Sequence, residues 1–151
     1  MAQILLDEGA AASTPSSGKV AIYAKTSGLL FSKDDAGNER PLSSNGVATL
    51  ADAATISCDI SEADVFDVTI AGNRTINFAG GSTATDGKKV LLRIKQDGTG
   101  GRTITWGTGA RFGTDITAIT LSAAAAKTDV IGIVYNHAAT SFDVVAFARG
   151  Y

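Results

Sequence analysis

Apolar and polar residues alternate with a period of two along much of this chain. In residues 65–70, for example, the apolar and polar side chains fall on opposite faces. Residues 129–135 form a continuous apolar run instead, which is typical of a strand buried on both faces. These patterns predict the following strands: Ala54–Ile60, Asp64–Ile70, Arg74–Ala79, Lys88–Gln96, Arg102–Trp106, Ile116–Leu121, Asp129–Asn136 and Ser141–Ala148.

Helix signals are weak in the same region. Residues 122–127 could form one helical turn, too short to stand alone, and residues 61–64 could add another. Residues 47–151 contain 12 of the 17 glycines and no proline. Short strands with turn signals between them predict an all-β fold, with a β-sandwich or jelly-roll-like domain over residues 47–151.

The last predicted strand is apolar on both faces. Phe142 and Val144 share one face, and Asp143, Val145 and Phe147 share the other. This pattern favours a central strand or a strand at a contact between subunits.

The first 46 residues differ from the rest. Residues 1–17 form an arm that is too small to fold alone, and residues 18–46 predict a β-hairpin. An isolated hairpin is marginal in water, so we expect it to pack on something, and copies of the same chain are one candidate. We interpret residues 1–46 as an anchoring and oligomerisation region whose contact residues are Ile4, Leu5, Leu6, Val20, Ile22, Tyr23, Leu29, Leu30 and Phe31.

Two segments of the chain resemble each other. Residues 72–78 and 100–106 each have a glycine turn, then Arg-Thr-Ile, a polar residue and an aromatic residue. We predict that both are return strands of hairpins, with Ile76 and Ile104 on one face. Two copies do not indicate a solenoid repeat.

Composition indicates a globular protein without a nucleic-acid or membrane partner. The chain has 151 residues, 44% hydrophobic and 19% charged, with a net charge of −2. No basic surplus is present to bind nucleic acid or an acidic membrane. The apolar run Ile4–Leu6 is too short for a signal peptide, and no segment is long enough to span a membrane. We therefore expect synthesis in a cytoplasm and release by another route, such as lysis.

The single cysteine, Cys58, excludes an intrachain disulfide and a cysteine-based metal site. It lies in a predicted strand, where a free cysteine usually behaves as a small buried hydrophobe.

The candidates for catalysis are few. The only histidine, His137, lies in a predicted loop between two strands, and no Gly-x-Ser-x-Gly motif is present. A carboxylate pair that hydrolyses sugars would have to come from Asp59, Glu62, Asp64 and Asp67. Scattered surface acids of this kind are expected in any soluble domain. We expect no enzyme activity and no catalytic residue.

No motif indicates a metal or a cofactor. The acidic cluster Asp34–Glu39 does not have the spacing of an EF-hand and is better interpreted as a solvated turn. The glycine-rich segments 81–89 and 107–113 lack the spacing of phosphate-binding and dinucleotide-binding loops. Trp106, at a predicted strand end, is the residue we would test for ligand contact, although aromatic residues in strands more often belong to a core or an interface.

The hairpin resembles a motif of phage tail fibres and other virion appendages. That motif reads Tyr-Ala-Lys-Thr-Asp-Gly, then an apolar pair or Leu-Tyr, then Ser-Lys-Asp-Asp. Residues 23–35 match it, with Ser27 in place of Asp and Phe31 in place of Tyr. Residues 90–106 are similar to β-sandwich domains of phage decoration and fibre proteins. These families are usually homotrimers, so the resemblance implies a homotrimer in the virion.

Three functions fit these features. The first is a capsid decoration (cement) or head-fibre protein that binds the particle surface as a trimer. The second is a short tail fibre or receptor-binding protein that contacts host surface glycans, and Trp106 would then be the first residue to test. The third is a small hydrolase of cell-wall sugars, which only the scattered acids support. The expected partners are copies of the chain itself and phage capsid or tail proteins.

Overall fold

The computed structural model of the protein describes residues 8–9, 12–25, 30–42, 46–81, 84 and 86–151. The chain divides into two compact units, Met1–Asn45 and Gly46–Tyr151. Within the described ranges every helix or strand element is a β-strand, so the predicted all-β fold is confirmed. The predicted contact residues Ile4, Leu5, Leu6 and Leu29 lie outside the described residues.

The N-terminal unit contains a four-stranded sheet. Its strands, in spatial order, are β1 (Glu8–Gly9), β2 (Ala21–Lys25), β3 (Leu30–Lys33) and β4 (Glu39–Pro41). The antiparallel pairing of β2 and β3 confirms the predicted hairpin and places Tyr23 opposite Phe31. β1 runs parallel to β2, and β4 runs antiparallel to β3. The sequence pattern predicts neither of these two outer strands.

The acidic segment after β3 is a turn, as predicted. The Asp34 carboxylate accepts hydrogen bonds from the backbone N–H groups of Ala36 (3.1 Å) and Asn38 (2.8 Å) and from the Asn38 side-chain amide (3.0 Å). These bonds, the one from the Asn38 side chain first, hold the pKa of Asp34 below its usual value. Gly37 has a φ of +88°, which glycine adopts without steric cost. Local polar contacts therefore fix the connection between β3 and β4.

The C-terminal unit consists of two sheets that face each other. In spatial order, the larger sheet contains β11 (Ala110–Phe112), β13 (Ser141–Ala148), β12 (Thr128–Asn136), β9 (Lys89–Gln96), β7 (Val65–Ile70) and β5 (Val47–Thr49). The smaller sheet contains β10 (Ile104–Trp106), β8 (Arg74–Ala79) and β6 (Thr55–Asp59). One core combines buried side chains of the larger sheet, such as Phe66 and Leu92, with Ile76 and Phe78 of the smaller. This arrangement is the predicted β-sandwich.

Strands β5 to β10 alternate between the two sheets along the chain. In the larger sheet β5, β7 and β9 are parallel neighbours, and in the smaller sheet β6, β8 and β10 are. The chain therefore makes three stacked coils, each with one strand in each sheet. Residues 47–106 are thus arranged as a short solenoid, which the sequence interpretation does not predict. The prediction that the two Arg-Thr-Ile segments are return strands of hairpins is wrong, because they lie side by side in β8 and β10 and run in the same direction.

The prediction that Ile76 and Ile104 share a face is confirmed, although the predicted hairpin pairing is wrong. Side-chain alternation explains both results. Ile76 is buried and Ile104 packs against the same core, so the two do share a face. Alternation defines which face of a strand is buried, but not which strand supplies its hydrogen-bonding partner.

Antiparallel pairing completes the larger sheet. β12 pairs with β9 on one side and with β13 on the other, which confirms the buried central strand predicted from its apolar run. The β12–β13 register shifts between Gly132 and Ile133, where one extra residue of β13 is accommodated. Beyond this bulge the predicted faces of the last strand are wrong: Phe147 packs against the core while Val145 is 55% exposed.

Residues 116–121 do not form the predicted strand. Ile116, Ile119 and Leu121 nevertheless pack against the core, so the apolar pattern correctly indicates burial. Residues 122–127 contain a turn at Ala125–Ala126 rather than a helical turn, and Ala126 has a φ of +59°. Two short strands, β5 and β11, are absent from the sequence prediction because three residues give too little periodicity to recognise.

Cys58 is fully buried in the core, as predicted. Burial raises the pKa of its thiol to about 12.

Candidate functional site

One face of the hairpin sheet carries four exposed apolar side chains, together with the buried Ala24 and the polar Ser32 and Arg40. Ala24 lies opposite Leu30, and Leu42 donates its backbone N–H to the Leu30 carbonyl (2.8 Å), so these residues share a face with Ile22. The exposed fractions on this side are unusually high for large apolar residues: Val20 64%, Ile22 58%, Leu30 42% and Leu42 52%. We call Val20, Ile22, Leu30 and Leu42 the hairpin apolar face.

The opposite face of the hairpin sheet is closed by contacts within the unit. The rings of Tyr23 and Phe31 stack with centroids 6.2 Å apart. The Lys25 ammonium lies 4.2 Å from the Phe31 centroid and forms an ion pair with Glu39, whose carboxylate also lies 3.5 Å from Lys33. The appendage motif of the sequence therefore supplies the internal packing of the hairpin.

Glu39 is the electrostatic centre of this closed face. The hydrogen bond from Lys25 and the nearby Tyr23 hydroxyl lower the pKa of Glu39 to about 2. Burial, followed by the neighbouring Glu39, raises the pKa of Tyr23 to about 12. Both shifts indicate a carboxylate that stays ionised and held in place across the ordinary pH range.

The structure thus separates the predicted contact residues into two groups. Val20, Ile22 and Leu30 lie together on the exposed apolar face, whereas Tyr23 and Phe31 lie on the opposite face and contact each other. Leu42, which the sequence analysis does not single out, joins the first group because β4 continues the sheet.

Trp106 lies in a group of aromatic side chains at the edge of the sandwich core. Its ring is 6.0 Å from that of Phe78 and 5.5 Å from that of Phe112, and Phe78 in turn stacks on Phe142 at 5.1 Å. The indole Nε1 is buried and has no hydrogen-bond partner in the part of the chain that the structure describes. Two aromatic neighbours already pack against the indole ring, so Trp106 is first of all a core residue.

Three of the four acids considered for catalysis make local contacts, and the fourth, Glu62, is exposed. The Arg93 guanidinium binds the Asp67 carboxylate across β7 and β9, with Nη2 to Oδ2 at 2.8 Å. Asp64 lies 3.3 Å from the Lys88 ammonium, and Asp59 accepts hydrogen bonds from Ser61. These contacts are those of ordinary surface carboxylates that stabilise strands and turns.

His137 lies in the turn between β12 and β13, as predicted. Its backbone N–H donates to Asp86 (2.9 Å), and its ring packs edge-on against Tyr135 at 6.1 Å. Among the described residues no group of three His, Cys, Asp or Glu side chains is placed to hold a metal ion. In the same residues no helix is long and apolar enough to cross a membrane.

A second exposed apolar surface lies on the outer face of the larger sheet, and no pattern in the sequence indicates it. The strand registers place five residues side by side, one from each of β5, β7, β9, β12 and β13: Val47, Val65, Leu91, Gly132 and Ala146. We call these five residues the apolar row. Val47 is 57% exposed and Leu91 43% exposed, and Val145 in the bulge beside the row is 55% exposed.

Comparison with known proteins decides the family. A family model described as "Putative phage tail fibre C-terminal domain" matches residues 43–139, which is more than half of the chain. The chain belongs to this family. It is therefore a structural component of a bacteriophage virion, and the resemblance of the hairpin to phage appendage proteins points in the same direction. None of the curated proteins matches the chain.

The tail fibre family match covers the sandwich rather than the hairpin. It begins at residue 43, close to the start of the C-terminal unit at Gly46, and ends in the turn after β12. The apolar row and Trp106 lie on strands within or next to the matched segment, whereas the hairpin apolar face lies before it. The two surfaces therefore belong to different parts of the protein.

Proposed function

We propose that the chain is a non-catalytic subunit of a phage tail fibre, that it works as a homotrimer, and that its hairpin apolar face makes contacts within the virion. The observation that carries the proposal is the match of a tail fibre domain family to the sandwich. The description of this family names the tail fibre, so the match favours the tail over the capsid. The hairpin motif does not decide between the two, because it occurs in phage appendages generally.

The hairpin apolar face supports a contact role. Burial of apolar surface contributes about 25 cal/mol per Å² removed from water, so four large side chains left 42–64% exposed represent unused binding energy. Large apolar side chains left exposed together on one face often mark an interaction site. The turn at Asp34 and the ion pairs of Glu39 hold the sheet in a fixed shape, which keeps this face available without a change in conformation.

The contacts of three of the four candidate acids support a non-catalytic role. A retaining or inverting glycosidase needs two carboxyl groups that flank a substrate. Asp67 and Asp64 are each held in an ion pair, and Asp59 is held by Ser61. The lone His137 packs on Tyr135 in a turn. The chain therefore fits a protein that works by assembly and contact.

Imaging of the intact virion tests the location. Antibodies against the C-terminal unit, or density that fits the sandwich, should mark the tail, with a handful of copies per particle. Hundreds of copies spread over the head would overturn the tail assignment in favour of a capsid decoration protein or head fibre.

The mass of the purified full chain tests the oligomer, and two variants test the hairpin. We expect a mass of three chains by light scattering. Ile22→Lys and Leu30→Lys should weaken either the trimer or the incorporation of the chain into particles, whereas Thr55→Lys, an exposed position on the smaller sheet, should leave both unchanged. If Ile22→Lys and Leu30→Lys assemble like the wild type, the hairpin apolar face has no contact role.

Binding to host surface glycans is the finer receptor hypothesis, and Trp106 is its test residue. Trp106→Ala removes the partly exposed indole ring, and thermal melting checks that the variant is folded. A glycan array that shows binding by the wild type and loss with the folded Trp106→Ala variant would support a receptor-binding role. Unchanged binding by the variant would exclude Trp106 as a glycan contact.

A further inference from the structure

A cleft of about 320 Å³ lies beside β10, the edge strand of the smaller sheet. Two segments that are far apart in the chain form its walls: residues 101–104, which lead into β10, and residues 119–123, which belong to no strand. The Gly101 N–H donates to the Ala123 carbonyl (2.8 Å) and joins the two walls at one end. We call this space the β10 cleft. Its volume is at the lower end of the range for small-molecule sites.

One wall of the β10 cleft carries a hydrogen-bond donor that the chain does not satisfy. Arg102 lines the cleft, and its Nε is buried without a hydrogen-bond partner among the described residues. The indole Nε1 of Trp106 is in the same state. Residues 102, 104 and 106 are half-buried, whereas residues 103 and 105 are exposed, so the side chains of Arg102 and Trp106 lie on one face of the segment. A buried donor of this kind is normally satisfied by a ligand or by ordered water, because leaving it unpaired costs free energy.

Arg102 is held in place by contacts that do not use its Nε. Its backbone N–H donates to Gln96 Oε1 and its carbonyl accepts from Gln96 Nε2, both at 2.9 Å, and Gln96 is 1% exposed. The Arg102 Nη2 donates to Asp97 Oδ2 at 2.8 Å. Asp97 is fixed in turn by the Gly100 N–H, also at 2.8 Å. The donor is therefore positioned before a ligand arrives, which reduces the entropy lost on binding.

The charge on the cleft wall is balanced within the chain. The hydrogen bond from Arg102, followed by that from the Gly100 N–H, lowers the pKa of Asp97 to about 2, so an ionised carboxylate faces the guanidinium. The other residues that line the cleft are uncharged. Arg149 contacts the Thr120 carbonyl (3.0 Å) but does not line the cleft, and it is exposed to solvent. This balance favours a neutral ligand over an anion.

The walls combine apolar surface with hydroxyl groups. Ile104 and Ile119 are partly buried and pack against the core, whereas Thr103 and Thr120 are exposed. A sugar ring has hydroxyl and ring oxygens that can accept from the Arg102 N–H, hydroxyl groups that can bond with threonine, and C–H groups that can pack on isoleucine. Small-molecule sites typically join apolar walls and a few placed polar groups in this way.

The open edge of β10 adds backbone groups to the same region. The Arg74 N–H donates to the Thr103 carbonyl, and the Gly107 N–H donates to the Ile76 carbonyl. Since parallel strands use alternate residues for these bonds, the N–H and C=O of Ile104 point away from β8. An added peptide strand would have little to pair with there, because β10 has only three residues. The edge therefore suits a small ligand with hydroxyl groups better than a peptide.

We propose that the β10 cleft binds one ring of a neutral sugar, with the Arg102 Nε–H donating to a sugar oxygen and with Ile104 and Ile119 against the C–H groups of the ring. The inference goes beyond the proposed function, since it assigns a site and a class of ligand. It rests on that proposal only for the source of the sugar, a host surface glycan.

Saturation-transfer NMR on the full chain tests the site with simple sugars. Glucose, galactose and N-acetylglucosamine are the neutral probes, and glucuronic acid is the acidic one. At least one neutral sugar should receive saturation from the protein and bind with a millimolar or lower dissociation constant. In the isotope-labelled chain the same sugar should shift the Arg102 Nε–H signal.

Two pairs of variants locate the binding. Arg102→Lys keeps a positive charge opposite Asp97 and removes the Nε–H, so it should raise the dissociation constant at least about tenfold. Arg111→Lys is the matched control, because the Arg111–Asp143 ion pair lies in the larger sheet. Thr120→Trp fills the cleft and should abolish binding, whereas Thr117→Trp, exposed in the same segment and outside the lining, should not. Thermal melting confirms that each variant is folded.

Three results would overturn the inference. If no sugar binds, ordered water satisfies the Arg102 Nε–H; if only glucuronic acid binds, the neutral class is wrong; and if folded Arg102→Lys and Thr120→Trp bind like the wild type, the sugar lies elsewhere. None of these results moves the chain from the tail, which virion imaging decides. Loss of glycan binding with Trp106→Ala but not with Arg102→Lys would keep a receptor role and exclude the β10 cleft. A head location would leave a sugar-binding cleft intact as a finding.

Discussion

The hydroxyl oxygens of Thr75 and Thr105 lie 3.0 Å apart across the parallel strands β8 and β10. This contact joins the two Arg-Thr-Ile segments that resemble each other in the sequence. Thr55 of β6 lies opposite Thr75 on the other side, so one threonine from each of the three coils stands in a row. The register is offset by two residues, because Ile104 lies opposite Arg74, so the resembling residues of the two segments do not lie opposite each other.

The threonine contact should contribute modestly to stability. Cross-strand pairs are worth about 0.2–1 kcal/mol, so the coupling between Thr75→Val and Thr105→Val should lie in about that range in a double-mutant cycle of urea unfolding. Coupling between Thr75→Val and an exposed site outside the smaller sheet, such as Asp115→Asn, should be close to zero. A zero value for the threonine pair would show that the hydroxyl contact has no net effect.

The buried carboxylate of Asp129 should contribute more to the free energy of unfolding than the threonine contact does. It accepts hydrogen bonds from the backbone N–H (2.6 Å) and hydroxyl (2.8 Å) of Ser122 and from the backbone N–H of Gly150 (2.9 Å). Asp129→Ala leaves these donors without the charged acceptor, so we expect a loss of about 2–3 kcal/mol in the free energy of unfolding.

Two measurements check the Asp129 prediction. Urea unfolding should show the loss, and hydrogen exchange should show reduced protection at Tyr151, whose N–H donates to Thr128 beside Asp129. The exposed Asp115→Ala is the control and should change stability by less than about 0.5 kcal/mol. Equal stability of the two variants would contradict the role of Asp129.

The N-terminal unit should lose stability in acid because of Glu39. The pKa of Glu39 falls from 4.5 to about 2 on folding, chiefly through the hydrogen bond from Lys25. A lowered pKa in the folded state stabilises that state above the unfolded pKa, and the contribution is lost as the pH falls from about 4.5 towards 2. Glu39→Gln should therefore be less stable at neutral pH and less sensitive to pH across this range.

Hydrogen-exchange protection of the β2–β4 amides, measured between pH 5 and pH 2.5, checks the Glu39 prediction. Glu62→Gln, an exposed position in the other unit, serves as the control and should follow the wild type. If wild type and Glu39→Gln lose protection in parallel as the pH falls, another group is responsible.

Cys58 should be unreactive in the folded protein. Its pKa of about 12, against 9.0 for an ordinary thiol, reduces the thiolate fraction at pH 8 by about 1000-fold, and burial blocks access as well. Alkylation by iodoacetamide, followed by mass spectrometry, should be negligible in buffer and rapid in urea. Rapid alkylation in buffer would mean that the core around β6 opens readily.

The sequence by itself determined most of the strands, the hairpin and the burial of Cys58. These features follow from local alternation and from turn residues such as Asp34 and Gly37, whose effects extend over a few positions. It also determined the family resemblance through the residues around Tyr23 and Lys25. The structure shows why that motif is recognisable, because its side chains contact one another and Glu39.

Only the tertiary structure decided how the strands pair. Backbone hydrogen bonds are the same for every residue, so the sequence of β8 does not specify that β6 and β10 are its parallel neighbours; the packing of side chains from distant segments does. The bulge near Gly132, the irregular burial of Ile119 and the apolar row from Val47 to Ala146 are all consequences of that pairing. Each depends on residues far apart in the chain, and for that reason no local pattern could reveal them.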